Sequence, residues 1–281
     1  MTTLVPIEHP GRDRRGIVVR RGRALGEASP LAGRSRERYE DALNALVLGT
    51  APTPAVDFAL FGLAAAHGTA PVRSQVLLEH AETAPDLTRA ALARGAHAFK
   101  LKLRTRDEAD VLRALRALAP TAVLRVDANR SFAREGDVPW DELARARVEW
   151  IEEPCPDAGS LAGTPVPVAL DESVEEGADR ALEDVANGRA TALVLKPTLV
   201  GATRTLAIGR DCLRLGGRAI VSHAFESPIG LRTCVELARR IAPTEIHGLA
   251  RWDGIDRYRV VATRAPIGSL IEEADVDSAL G

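Results

Sequence analysis

The stretch HAFKLKLRTRDEADVLRALRALAPTAVLRVD, residues 97–127, contains one strand–helix–strand unit. Its two ends are short and mostly apolar, AFKLKL at 98–103 and AVLRVD at 122–127, and their length and composition predict strands. Between them, leucine and alanine recur at helical spacing among arginines and acidic residues. A strand, a helix and another strand in this order are typical of a parallel sheet covered by helices.

The same alternation runs from about residue 74 to residue 248 and predicts six more strands. They are SQVLLE (74–79), VEWIE (148–152), PVALD (167–171), ALVLK (192–196), RAIVS (218–222) and TEIHG (244–248). Residues capable of chemistry end six successive strands at steps of 25, 25, 19, 25 and 26 residues: Lys102, Asp127, Glu152, Asp171, Lys196 and Ser222. A near-constant step of this size favours a closed, TIM-like α/β barrel of (β/α)8 type, in which ligands bind at the carboxyl ends of the strands.

An open, doubly wound parallel sheet is the alternative architecture. Such a sheet binds its ligand at one switch point and commonly carries a glycine-rich phosphate-binding motif. The sequence contains neither GxGxxG after a first strand nor GxxxxGK[ST], and its chemistry-capable residues are spread over six strands. We therefore favour the barrel.

Residues 1–73 have a different pattern and are predicted to form a separate α+β capping domain. GIVVRRGRALGEASPLAGRS resembles a hairpin, and RERYEDALNALVL and PAVDFALFGLAAAHG have helical character. We assign the barrel to residues 74–250. The remaining residues 251–281 contain a strand-like YRVVAT and an acidic IEEADVD, and we expect this segment to pack back on the cap.

Composition and charge exclude several classes of partner. The chain has 281 residues, a formal net charge of −2 and a pI near 6.3, with no basic tract for nucleic acid. Its three cysteines, Cys155, Cys212 and Cys234, form no CxxC pair, so we expect reduced thiols in the cytoplasm. No apolar segment is long enough to span a membrane. We expect no membrane partner, and homo-oligomerisation is left open.

Lysine is unusually rare in this chain. Only Lys100, Lys102 and Lys196 are lysines, so arginine accounts for 34 of the 37 Lys and Arg residues. Arginine supplies charge equally well but does not give up its proton, which suggests that the three lysines serve proton transfer. Lys100 and Lys102 should face the barrel interior together, where repulsion and burial are expected to lower a lysine pKa. The alternative, solvated strand-edge charges, fits poorly with their apolar neighbours.

Three strand ends carry carboxylates: Asp127 in RVDANRSF, Glu152 in WIEEPCP and Asp171 in ALDES. Three such groups at one barrel mouth repel strongly unless a cation lies between them. Mg²⁺ prefers hard oxygen ligands and leaves positions open for water or a substrate carboxylate. Because Glu152 and Glu153 face opposite sides of a strand, only one of them can bind the metal, and spacing alone leaves either as the ligand.

These residues resemble the enolase superfamily in its muconate-lactonizing branch. The KxK pair, the D…E…D acids and the lysine in VLKPTLVG match in order and spacing. The closer resemblance, over most of residues 24–243, is to the o-succinylbenzoate synthase family, through GEASPLAGRS, RVDANRSF, IEEPC, LKPTLVGA and VSHAFESPIGL. The resemblance implies a (β/α)7β barrel, Mg²⁺ (or Mn²⁺) as cofactor, and Asp127, Glu152 and Asp171 as its ligands.

The resemblance also implies a reaction and a small-molecule carboxylate substrate. In that family, 2-succinyl-6-hydroxy-2,4-cyclohexadiene-1-carboxylate loses water by syn β-elimination through an enediolate, which gives o-succinylbenzoate for menaquinone biosynthesis. Lys102 would be the base, Lys196 the opposing cation and Lys100 their catalytic neighbour. FESPIG, ahead of a predicted helix, would offer N–H groups to the succinyl carboxylate. The substrate-binding candidates are Ser222, His223, Glu226, Ser227, Gly230, Asn129 and Arg125.

Other functions use the same residues. N-succinylamino acid racemases and dipeptide epimerases move a proton between two lysines, and the racemase shares nearly all these motifs. Dipeptide epimerases typically have an acidic DxD-like element where this chain reads HGLARWDGIDR. A barrel retained only as a binding protein is a remote alternative, because all three acids and all three lysines are present. The family usually has a longer N-terminal strand and a mobile lid, whereas here GIVVRRG begins at residue 16.

Overall fold

The computed structural model describes residues 2–9 and 14–250. The predicted strand in YRVVAT and the acidic IEEADVD lie outside the described residues, so the expected packing of 251–281 on the cap stays a prediction. The division into capping domain and barrel domain at residue 73 likewise stays a prediction.

An antiparallel sheet of three strands lies at the N-terminus, in the order β1 (Thr2–Glu8), β2 (Arg15–Arg21) and β3 (Ala24–Ala28). Strands β2 and β3 form the predicted hairpin, which turns at Gly22 with φ +61°. Strand β1 was not predicted, because Pro6 weakens a strand pattern. Proline has no N–H to donate, and β1 tolerates it because it is an edge strand with a partner on one side only.

Two helices, α1 (Tyr39–Leu48) and α2 (Pro54–Ala64), follow this sheet where the sequence predicts them. They pack on it through a small apolar cluster that includes Ile17, Ala42 and Ala59. The contact between β3 and α2 is close, since a Cβ atom at Gly26 would lie 2.0 Å from the Ala59 carbonyl oxygen. Glycine at 26 therefore allows the helix to lie directly against the strand.

All eight predicted barrel strands are present. Seven of them form one parallel sheet: β5 (Val76–Leu78), β6 (Ala98–Lys102), β7 (Val123–Asp127), β8 (Ile151–Glu152), β9 (Val168–Leu170), β10 (Ala192–Leu195) and β11 (Arg218–Val221). The eighth is β12 (Ile246–His247), which pairs with the short β4 (Arg73–Ser74) just before β5. Strand β8 is shorter than predicted, two residues in place of five.

Strand β12 closes the ring. It is parallel to β4, with Ile246 opposite Arg73, and the Gln75 N–H donates to the His247 carbonyl. On its other side the Gly248 N–H donates to the Val221 carbonyl at the end of β11. Hydrogen bonding therefore continues from the last strand to the first, which confirms a closed barrel over an open sheet.

Helices surround the barrel. They are α3 (Ala84–Leu92), α4 (Val111–Leu118), α5 (Trp140–Arg145), α6 (Glu172–Glu176), α7 (Ala178–Ala186), α8 (Pro197–Val200), α9 (Ala202–Arg214) and α10 (Pro228–Ile241). Their apolar faces form one continuous core with the outer faces of the strands, as Leu112 and Leu115 do with Leu101. Within the described part of the chain, no helix combines the length and apolarity needed to cross a bilayer.

A charged cluster fills the barrel near the amino ends of its strands. The Trp150 ring, fully buried, lies 3.8 Å from the Arg125 guanidinium carbon and 4.5 Å from that of Arg218. Glu149 and Glu245 accept hydrogen bonds from these arginines. Burial alone would raise the pKa of Glu245, but the hydrogen bonds and charge of Arg218 lower that pKa to about 2. Glu245 thus ties β11 to the segment that leads into β12.

We predict that Glu245→Gln destabilises the protein at neutral pH but much less at low pH. Because the pKa of Glu245 is depressed in the folded state, its stabilisation is present above its ordinary pKa near 4.5 and is lost as pH falls toward about 2. Urea unfolding of wild type and variant at pH 6 and pH 3 measures the difference in stability. Glu82→Gln, at an exposed site, is the control. An equal difference at both pH values would contradict this role.

Candidate active site

One pocket opens at the carboxyl ends of the barrel strands, and its empty space, including the opening to solvent, is about 670 Å³. Its walls come from residues on or beside seven of the eight barrel strands, all but β8, and from the loop after β3, so Glu152 does not line it. They are Leu31, Arg34, Gln75, Leu77, Lys100, Lys102, Asp127, Asn129, Asp171, Lys196, Ser222, His223, Ala224, Phe225, Gly248 and Ala250. This position and size suit a small organic ligand.

Lys100 and Lys102 both line the pocket, as their spacing predicts, while Leu101 is buried toward the helices. Lys100 Nζ lies 2.8 Å from Glu152 Oε2 and 3.0 Å from Asp127 Oδ2. Burial would lower the pKa of Lys100, but the charges of Asp127 and Glu152 outweigh it and the pKa is raised. The expected lowering is therefore wrong for Lys100, because the nearest charges are carboxylates.

Lys196 reaches the pocket from β10, on the far side of the ring. Its Nζ contacts Asp171 Oδ2 and lies 3.8 Å from Glu175 Oε1. Burial lowers the pKa of Lys196, yet Asp171 leaves it raised overall. Lys102 differs from the other two lysines: among the described residues, no carboxylate lies within ion-pair distance of its ammonium group.

The three predicted metal ligands lie at neighbouring strand ends. Asp127, Glu152 and Asp171 are at most 3% exposed, and the β7–β8 register places Asp127 beside Glu152. Burial raises the pKa of Glu152 to about 7, against the opposing effect of Lys100. Burial would also raise the pKa of Asp127, but Lys100, Lys102 and Lys196 lower it. The carboxylates therefore share one strongly charged environment.

Two observations bear on whether these acids fit a divalent cation. Glu152 Oε1 and Asp171 Oδ1 are buried oxygens with no hydrogen-bond partner, and hard oxygen donors of this kind suit Mg²⁺. As they stand, however, no three acidic, His or Cys side chains in residues 2–9 and 14–250 enclose an ion-sized space. The Lys100 ammonium bridges Asp127 and Glu152 instead. These carboxylate oxygens are ligands of the type that Mg²⁺ prefers, and the Lys100 ammonium takes up part of the position between them.

Glu153 has a separate structural task. Its Oε1 accepts the N–H groups of Asp171 and Ser173, and its Oε2 accepts from Ser173 Oγ and Arg130 Nε. The backbone at Glu153 has φ +40°, so the chain turns sharply directly after β8. These four hydrogen bonds fix the chain just after β9, where Asp171 lines the pocket. The two acids of IEEP thus do different work, as predicted from their opposite orientation.

Three predicted substrate-binding residues do line the pocket. Ser222 Oγ donates to the Gly248 carbonyl, and the Asn129 N–H donates to Asp127 Oδ1. The ring of His223 meets that of Phe225 edge to face, with centroids 5.3 Å apart, and its Nδ1 accepts the Phe225 N–H. These contacts place the three side chains at the mouth, while their roles toward a substrate stay predictions.

Glu226, Ser227 and Gly230 do not line the pocket, contrary to expectation. The N–H groups of Ser227 and Gly230, at the start of α10, donate to the carboxylate of Glu27 from β3. Glu226, 1% exposed, accepts the Ala224 N–H. An internal carboxylate thus takes the position that we predicted for the substrate's succinyl arm, because the helix N-terminus attracts any anion within reach.

Arg125 is also apart from the pocket. It faces the barrel interior, as strand alternation requires, but lies two residues below Asp127 and is fully buried. Its guanidinium donates to Glu149, to Gln75 and to the Ile246 carbonyl, and it stacks on Trp150. Arg125 therefore belongs to the charged cluster in the barrel, apart from the residues that line the pocket.

Arg34 is a pocket residue that sequence analysis did not single out. It lies in GEASPLAGRS, after β3, and donates to Glu172 Oε1 at 3.1 Å and to Glu175 Oε1 at 2.6 Å. The N-terminal part of the chain thereby reaches the barrel mouth and adds a guanidinium beside Lys196. The only signal was its position inside a motif that we used for the resemblance.

Comparison with known proteins identifies the family of this barrel. Residues 82–267, more than half of the chain, match the model of the enolase C-terminal domain-like family. The chain belongs to the enolase superfamily. An o-succinylbenzoate synthase from Escherichia coli O127:H6 is 30% identical over 294 residues, which cover 90% of this chain and 85% of that relative. This superfamily relationship agrees with the resemblance found from the KxK pair and the three acids.

Two further relatives match over different lengths of the chain. An o-succinylbenzoate synthase from Vibrio cholerae serotype O1 is 33% identical over 142 residues, 46% of this chain and 42% of the relative, so the alignment spans less than half of that relative's length. A solved o-succinylbenzoate synthase from Thermosynechococcus elongatus BP-1, complexed with Mg in its active site, has a TM-score of 0.71 at 24% identity and 96% coverage of both chains.

A dipeptide epimerase from Enterococcus faecalis V583 superposes equally well, with a TM-score of 0.73 at 17% identity over 95% of this chain and 94% of the epimerase. At such identities, both solved structures show the shared fold. The fold therefore accommodates enzymes of different names within one superfamily, and the reaction has to be argued from the site.

We predict that the two acids of IEEP differ in their contribution to stability. Glu153→Gln should lower the free energy of unfolding by about 1–3 kcal/mol, because an amide NH₂ would face the donors of Arg130 or the backbone. Glu152→Gln should cost less, since burial already disfavours the Glu152 carboxylate and one of its oxygens is unpartnered. Urea unfolding at pH 7 measures both variants, and equal losses would contradict the assignment.

Proposed function

We propose that this chain is an o-succinylbenzoate synthase of menaquinone biosynthesis that acts in the cytoplasm. The observation that carries the proposal is one pocket with lysines at the ends of β6 and β10, with Asp127 and Asp171 in its walls and Glu152 buried beside Asp127. Relatives named o-succinylbenzoate synthase support it, one of them over 85% of its length. The reaction would remove the proton next to the ring carboxylate and the ring hydroxyl group, which leaves an aromatic ring and water.

Asp127, Glu152 and Asp171 would hold Mg²⁺, or Mn²⁺, as oxygen ligands. When bound, the ion would supply electrostatic stabilisation for the negative charge that develops on the substrate carboxylate. Lys100, whose ammonium lies within 3.0 Å of both Asp127 and Glu152, would have to give up part of these contacts when the acids hold the ion. Lys100 would thus adjust the charge at the carboxylates. Lys102, in contrast, is the lysine that forms no ion pair within residues 2–9 and 14–250.

Lys102 would act as the base. It lines the pocket beside Asp127. Among the described residues, no carboxylate forms an ion pair with its nitrogen, which leaves that nitrogen available to a substrate proton. As the neutral amine it takes the proton from carbon, and as the ammonium it returns that proton to the departing hydroxyl, which leaves as water. One residue on one face of the substrate thus serves both half-steps, consistent with a syn elimination.

Lys196 would act from the opposite face as a cation. Its ammonium contacts Asp171, and its pKa is raised, which favours the charged form. A cation there would attract both the π face of the ring and the developing negative charge. Lys102 ends β6, and Lys196 follows β10, four strands further around the ring. The two lysines therefore lie on opposite sides of the pocket.

A second candidate activity is racemisation of N-succinylamino acids. It is favoured by the same opposed pair, because a proton removed on one face by Lys102 could be replaced from the other face by Lys196. Epimerase neighbours share the fold. The two activities differ in what Lys196 has to do: a synthase needs its charge, whereas a racemase needs its transferable proton.

We predict that purified protein converts the cyclohexadiene substrate to o-succinylbenzoate, and that the lysine-to-arginine variants separate the roles. Lys102→Arg should be essentially inactive, because a guanidinium does not accept a proton near neutral pH. Lys196→Arg should keep measurable synthase activity but lose exchange of the Cα proton of N-succinylphenylalanine for deuterium. The synthase activity of Lys100→Arg should lie between those of Lys102→Arg and Lys196→Arg. Ultraviolet absorbance and deuterium incorporation are the two measurements.

The outcomes distinguish the alternatives. Wild-type deuterium exchange without aromatisation would replace the synthase by the racemase. Neither activity in folded, metal-loaded protein would favour a binding protein. Near-wild-type synthase turnover by Lys102→Arg would remove Lys102 as the base, whichever substrate is used.

We also predict that Mn²⁺ binding depends more on Glu152 than on Glu153. Glu152→Gln should weaken Mn²⁺ affinity at least about tenfold, because a neutral amide oxygen replaces a charged ligand. Glu153→Gln is the comparison variant next to it and should weaken Mn²⁺ binding less, because Glu153 acts on the proposed ligands through the backbone N–H of Asp171. Electron paramagnetic resonance of free Mn²⁺ during titration measures the affinity without turnover. Equal affinity in wild type and Glu152→Gln would remove Glu152 from the ligand set.

A further inference from the structure

The carboxylate of Glu27 connects the N-terminal sheet to one wall of the pocket. Glu27 lies on β3 and is fully buried. Both of its oxygens lie 3.1 Å from the Ser227 nitrogen, Oε2 also lies 3.0 Å from the Gly230 nitrogen, and Ser227 Oγ donates to it as well. Ser29 Oγ adds a further donor at 2.8 Å. One charge thus satisfies the first turn of the 14-residue helix α10.

The segment immediately before this helix is the pocket wall. Residues 222–225 all line the pocket. At one end the wall is attached to the barrel, where the His223 N–H donates to the Gly248 carbonyl. At the other end, Glu27 holds Ser227. The wall also contains a non-glycine residue in the left-handed region, Phe225 at φ +62°, a conformation that persists only where its surroundings impose it.

A second group from the N-terminal part fastens the same wall. The Arg14 guanidinium donates to the Ala224 carbonyl and to the carbonyls of Ser29 and Pro30. The wall is therefore held between barrel and N-terminal sheet by contacts made some 200 residues apart in sequence. None of these contacts reaches the pocket interior, so their effect on a ligand is indirect.

We propose that Glu27 is a positioning residue that keeps the wall 222–227 in the shape that accepts the substrate. It acts through the N-terminus of α10 and touches no ligand. The kinetic part of this inference rests on the proposed synthase function, whereas the structural part, the ordering of the wall, does not.

The chain offers a matched control in Asp57. This acid of α2 also reaches a helix start: its Oδ2 accepts the Thr203 N–H and its Oδ1 accepts Thr203 Oγ1, both at 2.8 Å, in the first turn of α9. Asp57 and Thr203 are not among the residues that line the pocket. Loss of Asp57 should therefore reproduce the loss of a carboxylate between the N-terminal part of the chain and the barrel without disturbing the wall.

The test compares Glu27→Gln with Asp57→Asn in the full chain. In Glu27→Gln, an amide NH₂ faces donors, so amide hydrogens of residues 222–227 should exchange at least about tenfold faster, measured by mass spectrometry. KM for the cyclohexadiene substrate should rise about tenfold, with kcat changed less than about threefold. Asp57→Asn should leave amide exchange at 222–227 and KM unchanged, even if it lowers the melting temperature as much as Glu27→Gln does.

Further variants keep the inference testable. If Glu27→Gln does not fold, Ser227→Ala removes one donor to Glu27 and should shift exchange and KM in the same direction by less. Glu27→Ala should be partly rescued by formate, which supplies a carboxylate to the same donors, whereas Asp57→Ala should not gain activity.

Unchanged exchange at 222–227 in Glu27→Gln, or equal effects from Asp57→Asn, would overturn the inference. A wild-type protein without synthase activity would refute the proposed function instead, and the exchange comparison would then decide the inference alone.

Discussion

Three buried carboxylates and three lysines share one barrel mouth, and the rest of the site depends on how their charges are balanced. Isolated charges at such depth would be strongly unfavourable. Lys100 bridges Asp127 and Glu152, and Lys196 contacts Asp171. A divalent ion bound by these acids would compete with both ammonium groups for the same oxygens and lower their pKa values relative to the present arrangement. Under the proposed metal binding, lysine protonation would therefore be coupled to the ion by electrostatics alone.

Much of this arrangement follows from sequence periodicity. Strands with apolar runs, separated by helices at near-constant steps, predict the closed barrel, and the period of two places Lys100 and Lys102 on one face. The parallel register then brings Lys102, Asp127 and Glu152 side by side. These features depend on local spacing and on one simple symmetry, so they are readable without coordinates. Strand β1 was not predicted, because Pro6 weakens the strand pattern of this edge strand.

What the sequence could not predict depends on partners distant in the chain. The raised pKa of Lys100 follows from the register that brings two carboxylates to within 3.0 Å, whereas spacing alone shows only its lysine neighbour. The start of α10 has every local mark of an anion site, and its anion is Glu27, 200 residues earlier. Arg34 reaches the pocket through the loop after β3. A local pattern identifies what a group can bind, but not which group the fold brings to it.

The two ends of the barrel interior illustrate why this chain keeps its few lysines. Near the amino ends of the strands, Arg125 and Arg218 stack on Trp150 and hold Glu149 and Glu245. A planar guanidinium with a permanent charge suits that packed, hydrogen-bonded cluster. At the mouth, lysines take the cationic positions, Lys100 and Lys102 on β6 and Lys196 directly after β10. Arginine would balance the carboxylates there as well, but it would fix the charge. The arginines stacked on Trp150 thus carry a permanent charge that supports the structure, whereas the lysines carry a charge that can leave with a proton.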